Sequence, residues 1–390
     1  MDANDRSIVG FVMLAHATVH TYELAIPILL TVWLVEFSTT TAVLGAVVSL
    51  GYGLFGLGAL PGGALADRYG SRTLIVASLS GMGASFALLS LAPSVAGIAL
   101  ALCLWGVAAS AYHPAGLALI SNGVREQGRG FGYHGAAGNV GIALGPLATA
   151  LLLLAFDWRT VAFLLVVPAL VGVAAGLVVS FDERAAVSGA RTDGGLSLSR
   201  VLADTRTLLT VGFATVLLVV TLNGLYYRGL LTFLPGVLGD LLAAPLAGIE
   251  PVDPDSLASD EFDPARYVYA GLLLVGVFGQ YAGGRLVDRI RPEVGLAGVL
   301  FALAAASLAF VLFSIQPLGQ ALVASYAAPD VRGLTFGYSY LAIFGVGALG
   351  AAIAGTLLTY GSARVLFVFL GGLVATSGGL CAWLARRDHS

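Results

Sequence analysis

The sequence predicts an all-α membrane protein built from two pseudo-symmetric transmembrane helix bundles, and three observations predict it. Apolar residues make up 58% of the 390 and charged residues only 11%, against about 25% charged in a soluble chain. The apolar residues gather into long stretches, most of them beyond the roughly 20 residues that one crossing needs. Landmarks of the first half also return, in the same order, in the second.

In order, the apolar stretches run 8–35, 42–66, 73–92, 94–121, 130–156 and 160–181, then 207–237, 266–287, 293–328, 333–360 and 363–385. Between the two sets lies a polar run, 182–206, rich in Gly, Ser and Asp with four arginines. It reads as a cytoplasmic linker between an N-terminal six-helix bundle (1–181) and a C-terminal bundle (207–390). The segment before the first stretch lacks a basic region and a cleavage site, so that first helix is expected to be retained. Cys103 and Cys381 both fall inside apolar stretches, which suggests no disulfide framework.

Basic residues bias membrane segments toward the cytoplasm. All 19 basic residues are arginine. With the N-terminus inside and the segments alternating, every arginine except Arg159, Arg228, Arg266 and Arg364 lies on the cytoplasmic side, provided that 293–328 crosses an even number of times. The loop 240–265 is then external. It carries Asp240, Glu250, Asp253, Asp255, Asp260, Glu261 and Asp263, which read as a solvated, salt-adapted surface.

The halves repeat one another. Gly62–Arg68 (GGALADR) returns as Gly283–Arg289 (GGRLVDR), each after the second apolar stretch of its half. Phe131–Tyr133 returns as Phe336–Tyr338, each preceded by an Arg-Gly pair. His113-Pro114 and Gln316-Pro317 both lie 15 residues before those arginines, counting from the proline. Gly63, Leu65, Asp67, Arg68, Gly70 and Arg72 resemble the loop signature of the major facilitator superfamily, at the place where that family has it. Ser71 stands where a basic residue is common, and Arg291 replaces the second-copy glycine. The resemblance implies a twelve-helix transporter with substrate bound near the midplane between its halves. It also implies a conformational latch built from Gly63, Asp67, Arg68, Gly70 and Arg72, with Asp288 and Arg289 in the second copy. A carboxylate at that helix end is placed to meet arginine and a helix N-terminus. A loop charge that only sets topology is the alternative.

A narrower resemblance rests on three runs: His16-x-x-x-His20-x-Tyr22 with Pro27, His113-Pro114-Ala115, and Gly138-Asn139-Val140-Gly141 followed by Gly145-Pro146. Together they are similar to the fosmidomycin-resistance-like branch of the family. Gly132, Gly141, Gly145 and Pro146 also fit the antiporter motif of the fifth helix, although Thr149-Ala150 replaces its closing glycines. Glycines so spaced equally serve close helix packing.

Ionisable groups inside an apolar stretch are costly and usually face a cavity or a partner. His16, His20 and Glu23, at i, i+4 and i+7, share one face of the first helix. Tyr227 and Arg228 sit in the seventh, near Asn223. Matching Pro27 with Pro235 places His20 opposite Arg228 across the pseudo-twofold axis. The expectation is that Arg228 attracts an anionic group while Glu23 and the histidines carry a coupling proton. A gating ion pair between Glu23 and Arg228 is the alternative. His113 and Gln316 form a second symmetric pair beside prolines that free a backbone carbonyl. Asn139 and Gln280 are weaker candidates, and His134 is expected at the cytoplasmic interface.

One feature departs from the family pattern. Asp67 and Pro114 are 47 residues apart, but Asp288 and Pro317 only 29. The stretch 293–328 is therefore about one helix short, because two crossings and a turn need more than about 40 residues. Eleven complete spans are expected of a nominal twelve, with 293–328 as one long helix or a poor hairpin. A deletion variant of a twelve-helix parent, or a non-transporting sensor, would fit such a gap.

A chain without lysine has no nucleotide-binding Gly-Lys loop, which argues against an ATP-driven pump. No Cys/His run has metal-ligand spacing and no Ser/His/Asp set is recognisable, so neither a metal site, a cofactor nor an enzymatic role is expected. The sequence thus reads as a monomeric, proton-coupled exporter of a small anionic or drug-like molecule. It would lie in the plasma membrane, with lipid and not nucleic acid as its surroundings. An uptake symporter for an organic anion is the alternative.

Overall fold

The computed structural model describes residues 1–187, 205–206, 208–245, 262–287, 289–305, 308–326 and 332–387. Its first half comprises α1 (Ala3–Glu36), α2 (Thr41–Leu57), α3 (Ala59–Tyr69), α4 (Ser71–Ser90), α5 (Val95–Ser110), α6 (Tyr112–Gly123), α7 (Gln127–Leu152), α8 (Trp158–Leu164) and α9 (Val166–Val178). The second half comprises α10 (Val211–Ala243), α11 (Pro264–Val287), α12 (Pro292–Ala305), α13 (Leu308–Ser325), α14 (Arg332–Tyr340), a π-helical turn at Leu341–Val346, α15 (Leu349–Tyr360) and α16 (Ala363–Arg387). Among the described residues there is no strand.

Nine helices among the described residues have the length and apolarity to cross a membrane. Large apolar side chains lie open on them, among them Leu100, Leu170, Leu177 and Val368. In water so many exposed apolar residues would drive association; against acyl chains they are at home. The helices begin at local signals. Asp2 accepts the Asp5 N–H at 2.8 Å to start α1, and Asp157 accepts the Arg159 and Thr160 N–H groups to start α8. Hydrogen bonding to the Thr160 hydroxyl and backbone holds the Asp157 carboxyl below its usual range. Gly70, at φ +88°, makes the corner between α3 and α4 in the left-handed region that suits glycine.

The chain forms two compact units. The first comprises Met1–Thr39, Leu50–Asp193 and Thr232–Ala270. In it α1 lies along α7, α4 packs on α5, α8 and α9, and α6 touches α1 and α4. Phe11, Val19, Tyr22, Trp33, Phe86 and Trp105 fill its core. The approach of α7 to α1 depends on missing side chains. A Cβ on Gly141 would stand 2.2 Å from the Ala17 carbonyl oxygen, and one on Gly145 would stand 2.7 Å from Thr21 Cα.

The second unit comprises Thr40–Ser49, Gly194–Leu231 and Gly271–Ser390. The start of α2 is tied to α15 by the Ser49 hydroxyl, which donates to the Ala348 carbonyl at 2.7 Å, and by Thr41 donating to Gly355. The π-helical turn sits where α10 comes closest: a Cβ on Gly347 would stand 2.8 Å from Gly224 Cα.

The stretch 293–328 is not one long helix. It is α12 followed by α13, and Gly295 lies against Leu318, so the two run antiparallel as a hairpin. The shortage falls on α12, whose 14 residues rise about 21 Å at 1.5 Å each, short of a hydrocarbon core about 30 Å thick. Packing of α12 on both α13 and α16 holds this short helix in place. With the hairpin counted, the described helices follow the twelve-segment order that the repeat implies.

Candidate functional site

The first unit gathers its ionisable side chains at the middle of α1. The 3.6-residue period puts His16, His20 and Glu23 on the face turned to α6 and α7, and Glu23 is only 1% exposed. Three contacts link them in line. Glu23 Oε2 lies 2.5 Å from His20 Nδ1, His20 Nε2 lies 3.0 Å from His16 Nε2, and His16 Nδ1 lies 2.7 Å from the His134 carbonyl oxygen of α7. The Tyr52 hydroxyl donates to the Glu23 backbone carbonyl at 2.9 Å, and Tyr112 donates to that of Val12 at 2.7 Å.

Two further imidazoles close around this line. His113, at the start of α6, has its ring 5.2 Å from that of His16 and 5.6 Å from that of His20. His134 stacks on His16 at 3.8 Å with the planes 10° apart. The position of His134 corrects the sequence reading, which set it at the interface; it is 5% exposed and inside the cluster. The His16 ring beside it depends on Gly138, one turn beyond His134: a Cβ there would stand 2.5 Å from His16 Cε1. No Cys/His run in the sequence has metal-ligand spacing, yet nitrogens of His16, His20 and His113 lie within 4.8 Å of one another. The Nε2 atoms of His16 and His20 face each other at hydrogen-bonding distance.

In the second unit, Arg228 of α10 is 3% exposed. Its guanidinium lies 5.6 Å from the Tyr227 ring centroid and 5.5 Å from that of Phe344, in the π-helical turn. Tyr340 stacks on Phe344 at 5.5 Å. Asn223, one turn earlier on α10, accepts a hydrogen bond from the Ser377 hydroxyl at 2.9 Å. An arginine among aromatic faces suits a planar or anionic group. The sequence offered no signal for Phe344, since its approach depends on the π-helical turn.

The other candidates are scattered. Asn139 is half-buried on α7, outside the line of contacts. Gly132 has open space around it, whereas Gly141 and Gly145 serve the packing of α7 on α1, with Pro146 buried beside them. Gln280 and Gln316 lie on α11 and α13, and Gly63 and Asp67 on α3; the side-chain positions of Gln280, Gln316 and Asp67, and Asp288 altogether, lie outside the described residues. Arg68 and Arg289 are exposed, the former 5.2 Å from the Tyr69 ring centroid.

Arg72 has partners that the sequence did not suggest. Its guanidinium donates to the Val179 carbonyl and covers the Phe181 ring at 4.0 Å. Glu183 accepts the Ser71 N–H at 2.8 Å and the Arg72 N–H at 3.2 Å, so it caps α4 just beyond Gly70.

A family model described as Major Facilitator Superfamily matches residues 9–317. The chain belongs to the major facilitator superfamily. It is 30% identical over 344 residues to the multidrug resistance protein MdtH of Cronobacter sakazakii, covering 81% of this chain and 76% of that one. It is 40% identical over 103 residues to the puromycin resistance protein pur8 of Streptomyces alboniger, a match spanning 26% of this chain and 20% of that protein. The fold is that of a bacterial homolog of the human lysosomal transporter Spinster, solved inward-facing and occupied (TM-score 0.69, 14% identity, 99% of this chain and 98% of that one). It is equally that of the nucleoside transporter NupG (TM-score 0.71, 12% identity, 97% and 98%) and of a D-xylose-proton symporter (TM-score 0.67, 13% identity, 97% of each). This superfamily member is therefore a multi-pass membrane transporter of small molecules and not an enzyme.

Proposed function

We propose that the chain is a proton-coupled exporter, a secondary transporter that exchanges a small anionic or drug-like molecule for protons by alternating access. In this reading it works as a monomer in the plasma membrane, with its N-terminus in the cytoplasm and its two sequence halves as the moving bodies. The observation that carries the coupling is Glu23, a carboxylate buried at mid-helix in 2.5 Å contact with His20. A carboxylate held there without a task is costly, whereas one that takes up and releases a proton is useful. Arg228 then supplies the charge that draws an anionic group.

The direction of transport leans on the two drug-resistance relatives and, separately, on the chain's own fosmidomycin-resistance-like motifs. The symporter shares only the fold. Everted vesicles from cells expressing the protein provide the test, with an acid interior reported by a quenched dye and puromycin among a panel of drugs and organic anions. Exchange predicts that an exported compound dissipates the acid interior, and that Glu23→Gln abolishes this response. Proton release that accompanies substrate leaving the vesicles, and not substrate entering them, would favour uptake symport, and substrate movement with no proton movement would remove the coupling. Unchanged transport in both Glu23→Gln and Arg228→Ala would remove the assigned site.

A further inference from the structure

We infer that Glu23, His20 and His16 form a single proton relay, drawn here in its loaded state, and that His16 is the member that must move when the proton leaves. The count of hydrogens carries this. A contact between two nitrogens, or between a nitrogen and an oxygen, at 2.5 to 3.0 Å needs one hydrogen in the gap. The His134 carbonyl only accepts, so His16 Nδ1 bears a hydrogen. The gap between His16 Nε2 and His20 Nε2 holds a second, and the gap between His20 Nδ1 and Glu23 Oε2 a third.

Three hydrogens on one carboxyl and two imidazoles leave the trio with no net charge. Their placement is not unique. The carboxyl can be protonated with both rings neutral, or the carboxylate can face an imidazolium at His20 or at His16. All three forms satisfy the same three contacts, so one proton is shared along the line. Glu23 also interacts outside the trio, and the count is of the three gaps along the line.

Removing one proton leaves two hydrogens for three gaps. The carboxylate is the charged acceptor and keeps its donor, which fixes His20 with its hydrogen on Nδ1. The other hydrogen is then on His16. On Nδ1 it leaves two lone pairs facing across 3.0 Å; on Nε2 it leaves a lone pair against the His134 carbonyl at 2.7 Å. Either way the broken gap belongs to His16. Deprotonation at Glu23 is thereby passed along α1 to the seam with α7, where Gly138 leaves the His16 ring its room. Among the described residues of its own unit, the ionisable groups facing the trio include His113 and Tyr112 of α6, His134 of α7 and Tyr52 of α2.

The relay rests on the proton-coupled reading for its purpose, but its chemistry is testable without a substrate. Protein carrying ¹⁵N-labelled histidine, held in lipid nanodiscs, is titrated by NMR, with the His16→Gln and His20→Gln variants assigning the rings. The expected result is one common step in which His16 and His20 nitrogens shift together, with one proton released per chain. Glu23→Gln keeps a hydrogen bond to His20 but cannot ionise, so the common step is lost. Gly138→Ala changes no titratable group yet displaces the His16 ring; His20 still shifts and His16 ceases to follow. Independent midpoints for the two rings, or a His16 that stays unchanged through the His20 step, overturn the relay. Export that is proton-driven while His16 stays silent removes the relay alone. A common step in a protein whose export ignores the proton gradient leaves the relay standing and removes the coupled reading.

Discussion

At the scale of single residues, the proposed mechanism divides the work between Glu23, for the proton, and Arg228, for the substrate. Glu23→Gln should abolish transport driven by a pH gradient while leaving exchange of labelled against unlabelled substrate, because exchange needs no net proton release. Comparing the two assays on one preparation checks this. Losing Arg228 removes a charged contact of roughly 1.5–3 kcal/mol. Arg228→Ala should therefore weaken apparent affinity for an anionic substrate about 10- to 100-fold, and Arg228→Lys should restore part of it, since lysine keeps the charge without the planar fork. The α1 trio was legible because helical periodicity alone puts i, i+4 and i+7 on one face. The arrival of His134 was not, since it depends on how deeply α7 presses into α1.

At the scale of elements, two contacts decide whether the first unit keeps its shape. Gly141 lies so close to Ala17 that a side chain must push α7 away from α1. Overpacking of this kind costs about 1–3 kcal/mol. Gly141→Val should lower the melting temperature of purified protein and weaken the His16 contact to the His134 carbonyl at the same time. The same glycines read equally well as an antiporter motif in the sequence; the structure shows their packing role, which any transport role must accommodate. Glu183 caps α4 from a segment that reads as a linker. Glu183→Ala should cost about 0.5–2 kcal/mol, the usual worth of a helix cap, in a thermal-shift assay, and Glu183→Gln should recover part of it. Nothing in a polar, Gly/Ser-rich run marks which acid will fold back on a helix end, so that contact was invisible until the corner at Gly70 was in place.

For the whole molecule, the internal repeat carried most of the fold, because three matched landmarks in order fix the order of the segments and their pairing between the halves. The missing length in the second half was equally plain, but its consequence was not. Apolar periodicity does not separate one long helix from a tight hairpin; the contact of Gly295 with Leu318 does. A hairpin whose two helices both cross returns the chain to the side it entered, and the proposed topology then has an even number of crossings and both ends of the chain on one side. This yields a prediction that needs no substrate. In a background with Cys103→Ala and Cys381→Ala, a cysteine placed at Ser390 should react with a membrane-impermeant reagent only after cells are permeabilised, as should one at Ser7. Labelling of the tail in intact cells would mean that the 14-residue α12 fails to cross. Everything after it would then be inverted relative to the first half, and α14 to α16 could not mirror their counterparts. A proton relay on α1 would then have no symmetric partner to move against, so the side of the tail bears on transport as directly as any substitution at Glu23.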